Sequence, residues 1–341
     1  MTIEEIKAKV GSEEYDFLRT NEHLGANTIL LAVTGSHGHG VANENSDIDL
    51  RGIALNSRKE ILLGSDFGHM VSETTDTTIY SLRKVLNLLS KCNPYIIEIL
   101  GCLPEHYLVL SDIGKQLINN RKRFLSKICI HTFGNYSTTL LRRLQGQTKE
   151  LTQKEMEAFI FKSITNAEYD FKNRYLPYDS DNIKLYIDSS AQKNLDEEVF
   201  VDINLSHYPL RDYAGIISEM RSIVSSYDRL GKRNKQAIEH EKLGKHMASL
   251  VQVYLVGLDI LEKEDIITYR ADERDLLLKI RAGEYLDADY KPTSDFYDIL
   301  NEYEKRFEYA KENTSLPDLP DYEWIKQFEM SVNEKIVMDV I

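Results

Sequence analysis

The chain has 341 residues, with 42 Lys plus Arg against 55 Asp plus Glu, a formal charge of −13, and 42% hydrophobic and 28% charged residues. This composition excludes a disordered, collagen-like or low-complexity chain, and the negative charge excludes bulk attraction as a way of coating nucleic acid. The length predicts two domains. Three cysteines, Cys92, Cys102 and Cys129, are too few and too scattered for a disulfide framework or a CxxC metal site, so a reducing, cytoplasmic setting is expected. The opening MTIEEIKAKV carries acids where a secretory leader would be basic. The most apolar later stretch, Ala248 to Leu261, is interrupted by Gln252 and Asp259 and falls short of the ~20 apolar residues a bilayer span needs, so no membrane association is expected.

In chain order, Thr28 to Val33 (TILLAV) is a compact apolar run that reads as a strand ending at Thr34-Gly35-Ser36. Asp47 to Leu55 (DIDLRGIAL) alternates with period two, as a half-buried strand does, and Thr77 to Leu82 is a third strand candidate. Leu82 to Leu89 has helical spacing and is stopped by Asn93-Pro94; Tyr95 to Leu100 (YIIEIL) resumes as a short apolar run carrying Glu98. Pro177 to Ser206 is the least periodic segment and predicts a long loop or a hairpin-bearing insertion. The rest is mainly helical. A stripe at Leu243, Met247, Leu250, Tyr254, Leu258 and Leu261 predicts one long helix, followed by helices over Glu273 to Ile280, Phe296 to Tyr309 and Tyr322 to Val340. There is no internal repeat.

The stretch richest in chemistry is TGSHGHGVANENSDIDLRG, Thr34 to Gly52. A strand ends at Gly35-Ser36, a glycine-punctuated turn follows, and Asp47 and Asp49 come eleven and thirteen residues after Ser36. On a strand, two aspartates one residue apart share a face. Held side by side they repel unless a cation lies between them, and the N–H groups and Ser36 hydroxyl of the turn suit an anion, so the pair of features points to Mg²⁺ and phosphate.

These residues resemble the DNA polymerase β superfamily of nucleotidyltransferases, whose pattern is an apolar residue, Gly-Ser, a gap of about ten residues and Asp-x-Asp. Gly35, Ser36, Asp47 and Asp49 match it. GSHGHG, NSDIDLRG, SLRKVLNLL, NPYIIEIL, GKHMASLVQVYLVGLDIL and LLLKIRAGEY are further similar to the bacterial and phage branch associated with RNA repair, a resemblance covering about Ile29 to Tyr285. It implies an α+β fold: a mixed polymerase β-like sheet with flanking helices over residues 1–125, and a mainly helical C-terminal domain over 126–341. It also implies Mg²⁺ or Mn²⁺ as cofactor, an NTP as donor and an acceptor hydroxyl on RNA or tRNA, with pyrophosphate released. The readings set against it are a catalytically silent nucleotide- or nucleic-acid-binding module and a toxin-like nucleotidyltransferase that modifies protein or tRNA.

The superfamily uses a third carboxylate from a neighbouring strand that follows a helix. Glu98 fits by position; Asp76, which opens the TTIYSL strand and has Glu73 nearby, competes with it. The expected catalytic residues and metal ligands are thus Asp47, Asp49 and Glu98, with Asp76 as the alternative ligand. Arg51 continues the alternation of 47 and 49, either to fork a triphosphate or to steady the aspartates. His37 and His39 flank Gly38 in the turn, as phosphate contacts or as scaffolding. Gly35, Ser36, His37 and Arg51 make up the expected nucleotide-binding set.

Charge distribution adds a last expectation. Ile113 to Lys149 contains no acid and eight bases (Lys115, Arg121, Lys122, Arg123, Lys127, Arg142, Arg143 and Lys149), leaving 34 bases against 55 acids elsewhere. Such a segment is either a strip aimed at a phosphate backbone, with His131, Phe133 and Tyr136 as stackers, or a set of helix faces paired with acids elsewhere. For the second basic stretch, Lys232, Arg233, Lys235, Lys242 and Lys245, a solvated face is the stronger reading.

Overall fold

The computed structural model describes residues 1–148, 183–189, 197–210, 213–214, 217, 221, 240–288 and 291–340. The opening segment forms α1 (Ile3–Val10), started by a Thr2/Glu5 capping box and turning Ile6 and Val10 inward. With α2 (Phe17–Thr20) it covers one face of a five-stranded mixed sheet. The strands are β1 (Thr28–Thr34), β2 (Asp49–Ala54), β3 (His69–Ser72), β4 (Thr77–Ser81) and β5 (Tyr107–Leu110), in the order β3-β4-β2-β1-β5. β1 is antiparallel to both β2 and β5, β3 is antiparallel to β4, and β2 and β4 run parallel.

β1 is apolar between its terminal threonines because both of its faces are buried. Leu31 and Val33, with Leu50 of β2 and Ile79 of β4, pack on Ile6, Val10, Tyr15 and Leu18. Leu30, Ala32 and Ile53 face the other way, toward a larger core. That core is built by α3 (Gly35–Gly38) and α4 (Arg58–Leu63) only marginally; its bulk comes from α5 (Leu82–Leu89), α6 (Pro94–Ile97), α7 (Asp112–Asn119), α8 (Ile128–Thr148), α9 (His240–Lys263), α10 (Arg274–Arg281), α11 (Ser294–Asn313) and α12 (Tyr322–Val337). The apolar stretch Ala248 to Leu261 is the part of α9 buried in the core, and no described helix is long and apolar enough to cross a membrane.

The chain divides into two compact units, residues 1–144 with 243–341, and residues 145–242. The boundaries between these units fall at 144/145 and 242/243. The C-terminal helices join the sheet because its second face needs their Met247, Val251, Leu277, Phe296 and Val332 to complete one continuous core. In the second unit, Ile183–Ser189 (β6) pairs antiparallel with Glu197–Ile203 (β7), the hairpin-bearing form of the aperiodic segment; 177–182 and 190–196 lie outside the described residues.

Two local expectations are corrected. The strand expected from Asp47 starts at Asp49, because β1 ends at Thr34 and Thr34 is the ladder partner of Asp49, so nothing remains to pair with Asp47. The YIIEIL run is α6 followed by a 3₁₀ turn, Glu98–Leu100. Asn93-Pro94 stops one helix and starts the next: the Asn93 side chain accepts from the Tyr95 N–H, and Pro94 occupies the first helical position, where its missing donor costs nothing.

Candidate active site

The site is built where β1 ends. Gly35 has φ +58, and a Cβ placed on it would lie 1.8 Å from Asp49 Oδ2. Only glycine both makes that turn and leaves room for the carboxylate. From Gly35 the chain enters the single turn α3, with Ser36 and His37 buried. Asp49 is fixed from behind, its carbonyl accepting from Thr34 Oγ1 at 3.3 Å.

On the parallel neighbour, Asp76 takes a left-handed conformation, φ +43, just before β4, and its carbonyl accepts from the Leu50 N–H at 3.1 Å. This brings the Asp76 carboxyl against that of Asp49. Burial, and then the hydrogen bond and charge of Asp76, push the Asp49 carboxyl up to about 6; Lys245 and Arg51 oppose the rise. Two carboxylates in such contact repel each other, a cost that a cation between them relieves.

Asp49 lines a cavity of about 230 Å³ together with Ser36, Arg51, Glu98, Lys245 and Arg281. Arg51 points the same way as Asp49 along β2 and donates from Nη1 to the Tyr95 carbonyl at 2.8 Å, with its guanidinium 5.4 Å from the Tyr95 ring centre. Arg281 donates to Ser46 Oγ at 2.9 Å and feels the charges of Asp49 and Asp47; burial lowers its pKa and those charges oppose the shift.

Glu98 also lines the cavity, but it serves a different contact. His39 Nε2 lies 3.1 Å from its Oε2. Burial opposes ionisation of Glu98, yet the nearby His39, and behind it Arg51 and Arg270, outweigh burial and hold the carboxyl below its ordinary range. Its backbone carbonyl accepts from Thr268 Oγ1 at 2.6 Å. The segment after α9 thus straps the glycine-rich turn in place. Arg270 N–H donates to the His39 carbonyl at 3.1 Å, Arg274 Nε donates to the Gly40 carbonyl at 2.9 Å, and the Tyr269 ring occupies the space a Cβ on Gly40 would need. Arg270 itself is buried on Asp259, which also holds Lys263 at 2.8 Å.

Of the residues expected from sequence, the structure brings together Gly35, Ser36, Asp49, Arg51 and Glu98 around the cavity. It places Asp76 against Asp49 and leaves Asp47 exposed just before β2. His37 is buried, its pKa lowered by burial against a backbone hydrogen bond at Ser46, and it is not among the cavity-lining residues. Lys245 is exposed, as the solvated-face reading has it, and also lines the cavity; Lys232, Arg233 and Lys235 lie outside the described residues, as does the Lys242 side chain. Arg281 was not singled out by sequence; its only signal was its place in LLLKIRAGEY. Among the described residues, no group of three or more His, Cys, Asp or Glu side chains is gathered closely enough to hold a metal ion. The hard-oxygen pair Asp49 and Asp76, held in contact against their mutual repulsion, nevertheless has the donor chemistry of a divalent-cation site.

The basic strip is used differently. Lys115 pairs with Asp112, Arg121 with Asp265, Arg123 with Asp321 and Lys127 with Asp318. For these four the reading as helix faces paired with acids is the one the fold adopts. Phe133 is buried in the core, and Tyr136 lines the cavity. The side chains of Arg142, Arg143 and Lys149 lie outside the described residues.

Residues 11–164 match the family model described as the RNA repair pathway DNA polymerase beta family. An uncharacterized 38.9 kDa protein from the nrdC–mobD intergenic region of Enterobacteria phage T4 is 28% identical over 110 residues, a match covering 28% of this chain and 33% of that protein. No solved structure matches the chain. The matched segment holds the whole mixed sheet, Gly35-Ser36, the Asp47-x-Asp49 pair and Asp76, and over these residues the match supports a DNA polymerase β-like superfamily member.

Proposed function

We propose that the protein is a divalent-metal-dependent nucleotidyltransferase that moves a nucleoside monophosphate from an NTP to an acceptor hydroxyl on RNA and releases pyrophosphate. The observation that carries this reading is the contact of Asp49, at the start of β2, with Asp76, just before the parallel strand β4, against a glycine that has no room for a side chain. Asp49 and Asp76, with Asp47 two residues before β2, would hold Mg²⁺ or Mn²⁺. When bound, the cation neutralises phosphate charge and favours the ionised acceptor oxygen.

The chain's own residues do the positioning. Arg51, Lys245 and Arg281 give the cavity three cations for the triphosphate, and the α3 turn offers Ser36. Attack by the acceptor oxygen on the α-phosphorus breaks the bond to the β-phosphate oxygen, which leaves with pyrophosphate. Glu98 is reassigned in this reading from metal ligand to the partner that orients His39 beneath the turn. The RNA acceptor rests on the description of the matched family.

The test is incubation of purified protein with each labelled NTP, Mg²⁺ or Mn²⁺ and cellular RNA. Metal-dependent labelling of RNA that is lost in the double variant Asp47→Ala, Asp49→Ala supports the proposal. Equal labelling by that variant overturns it, and nucleotide binding without pyrophosphate release favours a silent binding module.

A further inference from the structure

The cavity is lined along one side by a single face of α9, with Lys245, Ala248, Ser249, Gln252 and Val253 spaced by three or four residues. Lys245 marks the phosphate end, since it acts on the charge of Asp49. Gln252 lies seven residues on, roughly 10 Å along the axis at the helical rise per residue. That is comparable with the reach from a nucleotide's α-phosphate across its ribose to the base. α8 crosses α9 near that level: Ser137 hydrogen-bonds to Tyr254, and the Phe133 ring lies against Gly257. This crossing brings Tyr136 to the cavity, where its hydroxyl bonds that of Tyr95 and the two rings meet edge to face at 5.1 Å.

Gln252 is the unusual member of this face. It is only 7% exposed, and its Nε2 donor is sealed from water with no partner among the described residues. An unpaired buried donor is unfavourable, and a carboxamide amid Leu and Val on a core helix would be replaced without loss by an apolar residue unless something else occupies its donor. Gln252 is a lining residue of the cavity, and its terminal torsion is broad, so the donor can be re-aimed without moving the backbone.

We propose that Gln252 reads the nucleobase of the donor nucleotide, in a subsite walled by α9 and by Tyr95 and Tyr136, and that the base it selects is adenine. A carboxamide pairs best with a ring-nitrogen acceptor beside an exocyclic amino donor. Adenine offers that pair on either edge it can turn to a wall, N6 with N7 or N6 with N1; cytosine offers it on one edge alone, N4 with N3, and guanine's N7 edge presents two acceptors. The inference rests on the nucleotidyltransferase reading above.

The experiment is equilibrium binding of ATP, GTP, CTP and UTP, each with Mg²⁺, to the full chain and to Gln252→Leu, Gln252→Glu and Lys245→Ala. The expected result is ATP bound about tenfold more tightly than GTP and more tightly than CTP and UTP, with the differences lost in Gln252→Leu. Gln252→Glu, which only accepts, must move the ranking toward GTP, whose N1–H and N2–H₂ are adjacent donors; it supplies the test if the leucine variant does not fold. Lys245→Ala must weaken all four alike. Four NTPs bound equally by the unaltered protein, or a ranking that survives both Gln252 variants, overturns the base assignment and leaves the nucleotidyltransferase reading standing. No binding of any NTP overturns both.

Discussion

At the end of β1 the fold presses two carboxyls together, whereas along residues 115–127 it gives each of four cations a carboxylate of its own. The two arrangements are opposite in energy. Paired surface charges add a little stability and need no further purpose. Like charges in contact subtract from stability, so a chain that builds such a contact around a glycine with no space for a Cβ is maintaining it for something other than folding.

The largest test of this contrast is catalytic. Asp76→Ala is expected to lower metal-dependent transfer at least about 100-fold, as removal of a group that stabilises developing charge does, while Arg123→Gln and Lys127→Gln stay within about twofold of the unaltered protein. Single-turnover labelling of RNA by each variant measures this. A strip variant as damaged as the aspartate variant would erase the distinction. Glu98→Gln sharpens it further: it keeps the side chain's shape and removes the charge facing His39, so a loss smaller than that of Asp76→Ala is expected.

A second test asks which cations matter to the fold. Arg270 stands outside the strip and is 2% exposed, with its guanidinium on Asp259. Replacing it by Met strands a buried carboxylate, an outcome that costs about 3–5 kcal/mol. Urea unfolding checks this, and a change below 1 kcal/mol would show that Lys263 alone satisfies Asp259.

What could be read from sequence follows the same division. Gly35, Ser36 and Asp49 could be placed from sequence because the turn and the strand that hold them are local, and the positive φ at 35 calls for glycine. Asp76 against Glu98 was not decidable, since the choice depends on which segment pairs beside β2, and Asn93-Pro94 can end one helix or open another with the same two residues. The strip's partners were invisible for a related reason. Asp265, Asp318 and Asp321 lie more than a hundred residues downstream, and no spacing rule links them to Arg121, Lys127 and Arg123. Lys245 and Arg281 reach the cavity only because the C-terminal helices cover the second face of the sheet.

The carboxyl contact itself predicts a pH dependence. Asp49 is raised from its ordinary value to about 6, so the folded protein holds that proton more tightly than the unfolded chain does. Stability from this group is full below the ordinary carboxylate pKa and is lost as pH rises through about 6. In the absence of divalent metal, Asp49→Asn is therefore expected to stabilise the protein by about 1–3 kcal/mol at pH 8, with the gain vanishing near pH 4. Urea midpoints for both proteins at the two pH values, in chelator, measure it. A destabilised Asn variant at pH 8 would mean the contact is a net support of the fold.

The smallest effects belong to the strip, and they differ among themselves in an informative way. Arg121 holds Asp265 with two parallel hydrogen bonds, Nε to Oδ1 at 2.7 Å and Nη2 to Oδ2 at 3.0 Å, with both side chains about 30% exposed. Lys127 reaches Asp318 through one contact, and Asp318 is 85% exposed. A two-pronged, half-shielded pair sits at the upper end of what surface ion pairs contribute, so Arg121→Gln should cost roughly 1 kcal/mol and lose most of that difference in high salt. Lys127→Gln should leave the urea midpoint where it is, because water already solvates its partner. If these cations served a phosphate backbone instead, the order would invert: Lys127→Gln would weaken RNA retention and flatten its salt dependence while Arg121→Gln, locked to its aspartate, would not.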